Sequence, residues 1–182
     1  HPGRWDAAGN EIARRVLFEP PRIEGRDARK SFQERLRRSI EGAGDLHAAT
    51  RVQLLDVLGS LPEGNRICHG DFHPDNVLLT GRGPVIIDWI DAAQGDPLAD
   101  VARTLVLLHV GSVPGRGPVR WMVDALRGAF RRGYVRRYFE GAPAGGILRD
   151  WITAAAAARL REAIPGEAPA LLRMVDAGLP VS

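Results

Sequence analysis

Residues 67–104 read "ICHGDFHPDNVLLTGRGPVIIDWIDAAQGDPLADVART" and set two histidines, six aspartates and one asparagine among short apolar runs. Polar groups at that density rarely build a core, because a buried polar group without a partner costs free energy. They imply a metal site, a phosphate-handling site or solvated loops. Arg66-Ile67-Cys68 reads as a short strand feeding a polar loop. Val77-Leu78-Leu79 and Val85-Ile86-Ile87 are apolar runs separated by Thr80-Gly81-Arg82-Gly83-Pro84, the pattern of a β-hairpin. From Asp96-Pro97 onward, Leu98, Val101, Ala102, Leu105 and Leu108 restore a helical period. Pro97 stands one residue inside that helix, where its missing N–H costs nothing.

Working outward, a turn-rich lead-in through Pro20-Pro21 precedes a segment from about Arg26 to Glu41. Phe32, Leu36 and Ile40, spaced by four, form one apolar stripe there. A second helix is expected from about Asp45 to Leu61, with Leu54, Leu55 and Leu58 on one face and Gly64 marking its end. Beyond the decisive stretch, a Gly/Pro-rich connection at Gly111 to Pro118 leads to helices over Val119–Phe139, Ile147–Ile164 and Ala168–Ala177. The run Ala154–Ala158 reads as close helix packing, since alanine combines the best helix propensity with little bulk. The fold class is mainly α with a small β-hairpin (α+β).

The composition narrows the class. Its 182 residues suffice for one well-buried domain or one lobe of something larger. With 45% hydrophobic and 26% charged residues, neither a disordered nor a fibrous class fits. Cys68 is the single cysteine, which removes any internal disulfide and points to a reducing, cytoplasmic compartment. No apolar run approaches the roughly 20 residues of a membrane span, so no membrane partner is expected. The pI near 9.7 rests on a net charge of only +3, supplied by arginine with Lys30 the only lysine. Nucleic acid is therefore not an expected partner, and the basic run Arg131, Arg132, Arg136 and Arg137 reads as a solvated helix face.

His69-x-Asp71-x-x-x-x-Asn76, followed by Asp88 after the second apolar run, has the spacing of a phosphotransfer site. In the kinase template a loop aspartate orients the acceptor hydroxyl, while an asparagine and a later aspartate hold Mg²⁺ against the phosphates. Hard oxygen ligands suit Mg²⁺, and a hairpin brings its two ends together. Pro74 stiffens the loop, and His73 is placed to reach a transferring phosphoryl group. The rival reading, a transition-metal hydrolase using His69, Asp71, His73 and Asp75, lacks a second histidine cluster. Turn and cap duty is the bland alternative for each Asp or Asn taken singly. Trp89 is expected in the core, Cys68 as a small buried residue, and Asp75 and Asp91 as solvated or capping groups.

"HGDFHPDN" followed by "IIDWIDAAQGDPLADVA" resembles the aminoglycoside phosphotransferase family of protein-kinase-like small-molecule kinases. The likeness is specific over residues 67–104 and looser in the flanking helices. It implies a kinase-like C-terminal lobe with Asp71 as the catalytic aspartate, Asn76 and Asp88 as metal ligands, and His69 supporting the loop. Asp96 and Asp100 match a segment in which they brace that loop. The implied cofactors are Mg²⁺ with ATP or GTP as donor; beyond this metal–phosphate site no nucleotide-binding residue is identified.

A kinase also needs a glycine-rich loop, a strand lysine and a helix glutamate. No G-x-G-x-x-G precedes the loop, and Lys30 lies in the helical pattern "DARKSFQERL". The expectation is therefore a C-terminal lobe over residues 1–182 without its N-terminal lobe. Residues 1–25 would be lead-in, 26–65 a helical pair, 66–95 the catalytic loop and metal-binding hairpin, and 96–182 the helical acceptor side. A second chain or an upstream lobe would complete the enzyme, and the chain alone would be weak or inactive. The parent activity would be transfer of the γ-phosphoryl group to a hydroxyl of a small molecule such as an aminoglycoside-like antibiotic, a sugar or a choline-like alcohol. The alternative is a non-catalytic kinase-like binding module. Arginine-rich helices and scattered acids (Glu140, Asp150, Glu162, Glu167, Asp176) do not suggest a polycationic acceptor.

Overall fold

The computed structural model describes residues 31–81, 83–111, 117–140 and 145–179. The lead-in, Lys30 and most of the Gly111–Pro118 connection lie outside them. Helix α1 spans Phe32–Glu41. Residues 26–30 of the expected segment lie outside the described residues; Ser31 is extended and its hydroxyl accepts the Glu34 N–H at 3.3 Å, capping the helix there. The stripe itself is as expected: Phe32, Leu36 and Ile40 are buried. Helix α2, Ala48–Ser60, is shorter at both ends than the periodicity implies and buries Leu54 and Leu58. Arg51 ties the α1–α2 connection by donating to the carbonyls of Ala43 and Leu46 at 2.7 and 3.2 Å. Gly64 is not the cap of α2, which is Leu61. Its φ of 68° and the backbone of Gly95 and Asp96 against it leave no room for a Cβ.

Strand β1, Arg66–Cys68, pairs antiparallel with β4, Ala93–Gly95. This pairing is not visible in the local pattern, since Ala-Gln-Gly has little strand propensity. Between them, β2 (Val77–Thr80) and β3 (Gly83–Ile86) form the expected hairpin, with Val77 opposite Ile86 and Thr80 opposite Gly83. The turn is tighter than the sequence implied, because Thr80, Gly83 and Pro84 all join the ladder. The β1–β4 pair thus closes the base of a long loop whose tip is the hairpin.

Helix α3 runs Pro97–Val110, with Asp96 as N-cap accepting the Leu98 N–H at 2.8 Å. Helix α4 spans Pro118–Phe139, α5 Gly145–Arg159 and α6 Ala168–Gly178, with a 3₁₀ turn at Leu160–Glu162. Helix α5 is the centre of the bundle and packs against α1, α2, α3 and α6. Its alanines 154–157 are fully buried, which is why a run without bulk stands there. A Cβ added at Gly178 of α6 would fall 2.9 Å from Thr153 Cβ on α5 and closer still to its hydroxyl. Gly178→Ala is therefore expected to destabilise the fold by about 1–3 kcal/mol through overpacking, read as a lowered denaturant midpoint with unchanged slope. An unaltered midpoint would mean that α6 does not seat this closely. No helix among the described residues is long and apolar enough to cross a membrane.

Candidate active site

The polar loop leaves β1 at His69 and is held from three sides. The Asp100 carboxylate on α3 accepts the His69 N–H at 2.8 Å and the Gly70 N–H at 2.7 Å. Burial raises the Asp100 carboxyl above its ordinary range, while these N–H groups and nearby His69 and Arg35 oppose the rise. Arg103, one turn further along α3, donates to the Gly70 carbonyl at 3.3 Å. Arg35 of α1 donates to the main-chain oxygen of Asp91 and lies 3.3 Å from its carboxylate. Gly70 itself has φ 82°, and a Cβ there would sit 2.6 Å from the Asp91 carbonyl. Only glycine fits that crossing.

His69 is buried and uses both ring nitrogens within the protein. Nε2 donates to the Ile87 carbonyl at 2.9 Å, and Nδ1 accepts the Asp71 N–H at 3.2 Å. The ring thus links the loop to the residue preceding Asp88, while Phe72 and Trp89 pack on it with centroids 6.2 and 4.7 Å away. Trp89 is not in the core. It is 40% exposed, with its ring on His69 and its N–H donated to the Ile86 carbonyl at 3.0 Å, because the 3₁₀ turn Trp89–Asp91 lies at the surface. Cys68 is buried as expected, and burial pushes its thiol far up, out of nucleophile range.

Pro74 opens the 3₁₀ turn Pro74–Asn76, which aims Asn76 back at the loop. The amide nitrogen of Asn76 donates to the Asp71 main-chain oxygen at 2.8 Å and lies 3.4 Å from the Asp71 carboxylate. His73 Nε2 is 3.5 Å from the same carboxylate oxygen, and Asp75 stands exposed behind it. The Ile87 N–H donates to the Asn76 carbonyl at 3.0 Å, so Asp88 follows directly where the hairpin ends meet. Asp88 is exposed, in a left-handed conformation (φ 62°, ψ 62°) uncommon for a residue with a side chain. Loop and hairpin therefore bring Asp71, His73 and Asn76 together, with Asp88 at the adjoining end. Asp96 acts on its own helix instead, capping α3.

Several surrounding arginines carried no signal in the sequence, being dispersed among many. Arg159 at the end of α5 lines a cavity of about 850 Å³ together with Asp71, His73, Leu107, Val123 and Phe130. It is held by Glu167, buried at 3% exposure, at 2.9 and 3.2 Å. Burial lowers its pKa, but the bonded Glu167 and nearby Glu162 outweigh this, and the guanidinium stays firmly charged. Arg103 is likewise fixed by Glu162 at 2.6 Å. Among the described residues no group of three or more His, Cys, Asp or Glu side chains is placed to hold a metal.

A mainly helical domain whose small β elements present a polar loop beside a hairpin is the kinase-like arrangement. The model of the phosphotransferase enzyme family matches residues 11–151, well over half of the chain. The chain belongs to that family, as the resemblance of its loop implied. Among curated proteins there is no match to the chain. Membership makes phosphotransfer the general chemistry, with a nucleotide phosphate donor and usually a metal.

Proposed function

We propose that the chain is the C-terminal lobe of a kinase that transfers the γ-phosphoryl group of ATP or GTP to a hydroxyl of a small molecule. The observation that carries this proposal is the convergence of Asp71 and Asn76 in one turn, with the hairpin delivering Asp88 beside them. In the proposed roles Asp71 orients the acceptor hydroxyl and takes its proton, which needs a carboxylate in a fixed position facing a cavity. Asn76 and His73 hold one Asp71 oxygen from two directions. His69, Asp100 and Gly70 fix the loop backbone, because positioning is most of what phosphoryl transfer asks of a protein.

The donor set also fits Mg²⁺. The Asn76 amide nitrogen is committed to Asp71, which leaves its oxygen for a cation, and the Asp88 carboxylate is exposed without a capping hydrogen bond. Both are hard oxygen donors. When bound, Mg²⁺ neutralises phosphate charge. Exposed apolar side chains, Ile90 at 86% two residues after Asp88 and Leu79 at 76% on the hairpin, supply a ledge for the donor base and for an upper lobe or a second chain. The buried lone thiol suits a cytoplasmic setting.

The test is calorimetric titration of the purified chain with ATP, with and without Mg²⁺, using Asp88→Ala as the control. Saturable, Mg²⁺-dependent binding is expected, weakened at least about tenfold in the variant, or about 1.4 kcal/mol. Identical binding by both proteins would remove Asp88 from the metal site.

A further inference from the structure

A second concavity, about 600 Å³, lies beyond the Asp71 cavity and shares Leu108, Gly111 and Arg127 with it. Arg120, Arg127 and Arg131 enter it from one face of α4, Arg173 from α6 and His109 from the end of α3. A merely solvated basic stripe would follow a single helix. Here two helices aim arginines at one hollow, and a third closes it with His109.

Among the described residues the only carboxylate lining it is Asp124, which lies 3.7 Å from Arg120. Arg127 spends a donor on the Gly111 carbonyl. Arg131 meets His109 Nδ1 at 3.2 Å, and since a guanidinium can only donate, the imidazole must accept there. Partial burial and the charges of Arg131 and Arg173 hold His109 below its ordinary pKa and so neutral. Arg173 is exposed and has no ion pair among the described residues. Guanidinium groups cannot shed their protons, so gathering them in one hollow leaves a positive charge that a bound anion offsets.

We propose that this concavity is an oxyanion-binding site for a multiply charged phosphate-type group. Forked guanidinium donors match such a group bidentately, which an ammonium does not. On the phosphotransferase reading given above, a small molecule anchored here by its anionic end reaches past Arg127 into the cavity at Asp71, where its hydroxyl would meet the carboxylate. That assigns an anionic alcohol as acceptor and turns a polycation away.

Inorganic pyrophosphate is the probe, titrated into the chain by calorimetry at physiological salt without divalent cation. One saturable site is expected, weakened more than tenfold in the double variant Arg131→Gln/Arg173→Gln. The double variant Arg132→Gln/Arg136→Gln removes the same charge from α4 outside this concavity and should bind as the parent does. All four side chains are exposed, so both variants should melt as the parent does. Absence of saturable binding, or equal weakening by both pairs, overturns the site. Asp88→Ala should leave pyrophosphate binding unchanged, which separates this result from the Mg²⁺–ATP titration: either can fail alone.

Discussion

Replacing Asp71 by asparagine should lower phosphoryl transfer by about 10²–10⁴-fold while leaving Mg²⁺–nucleotide binding nearly intact, the loss typical of a missing general base. The substitution keeps the size and polarity of the side chain. It therefore preserves the main-chain contact to Asn76, which uses the Asp71 carbonyl and not its carboxylate. What disappears is a negative oxygen able to align the hydroxyl and receive its proton. The measurement is ADP release at saturating ATP over a panel of alcohols, made on the chain completed by a nucleotide-binding lobe and followed for the acceptor that turns over fastest. A variant within about tenfold of the parent would assign the proton to another group, with His73, 3.5 Å away, the next candidate. A loss of nucleotide affinity equal to the loss of rate would instead mean that Asp71 acts mainly on the metal–phosphate side.

The second large effect is expected at Asp100. Asp100→Ala strips the partners from the N–H groups of His69 and Gly70, both in buried residues. Each orphaned donor costs about 1–3 kcal/mol, and bonds to a charged acceptor lie at the upper end. A loss of about 3 kcal/mol is expected by denaturant unfolding, with the loop loosened around His69. Asp100→Asn keeps one acceptor and should lose about half as much. The pair of variants separates the bracing from a general intolerance of change on α3: equal losses would show that the carboxylate does not hold the loop. The same loosening should lower turnover in proportion for any acceptor, because Asp100 touches only the loop backbone among the site residues.

Gly178 and Asp88 make the more local tests described above. They probe one packing contact and one exposed carboxylate, so each leaves the rest of the molecule intact.

Much of the helical architecture was legible because burial of one face imposes a period. Phe32, Leu36 and Ile40, and Val101 with Leu105, mark their helices by spacing alone. Asp96-Pro97 announced a helix start through local capping chemistry, and α3 begins there. The hairpin was visible because two apolar runs flank a glycine-bearing turn, although the exact turn depended on Thr80 and Pro84 joining the ladder. Helix ends were less visible. The start of α1 was decided by one hydroxyl, Ser31, and a stripe of large side chains does not report a cap.

The residues of the site were named by spacing, whereas their mutual distances were not. By itself, the sequence determined the helical class and the loop–hairpin order and nominated Asp71, Asn76 and Asp88 as candidates, since these follow from neighbours a few residues apart. Only the tertiary structure decided that β1 pairs with Ala93–Gly95 and that His69 bridges the loop to Ile87. It alone placed Trp89 at the surface, set Arg159 beside Asp71 and gathered four arginines around His109. Those facts join segments far apart in the chain. Their free energy comes from desolvation and hydrogen bonds that exist only after the helices have packed, so no local pattern encodes them.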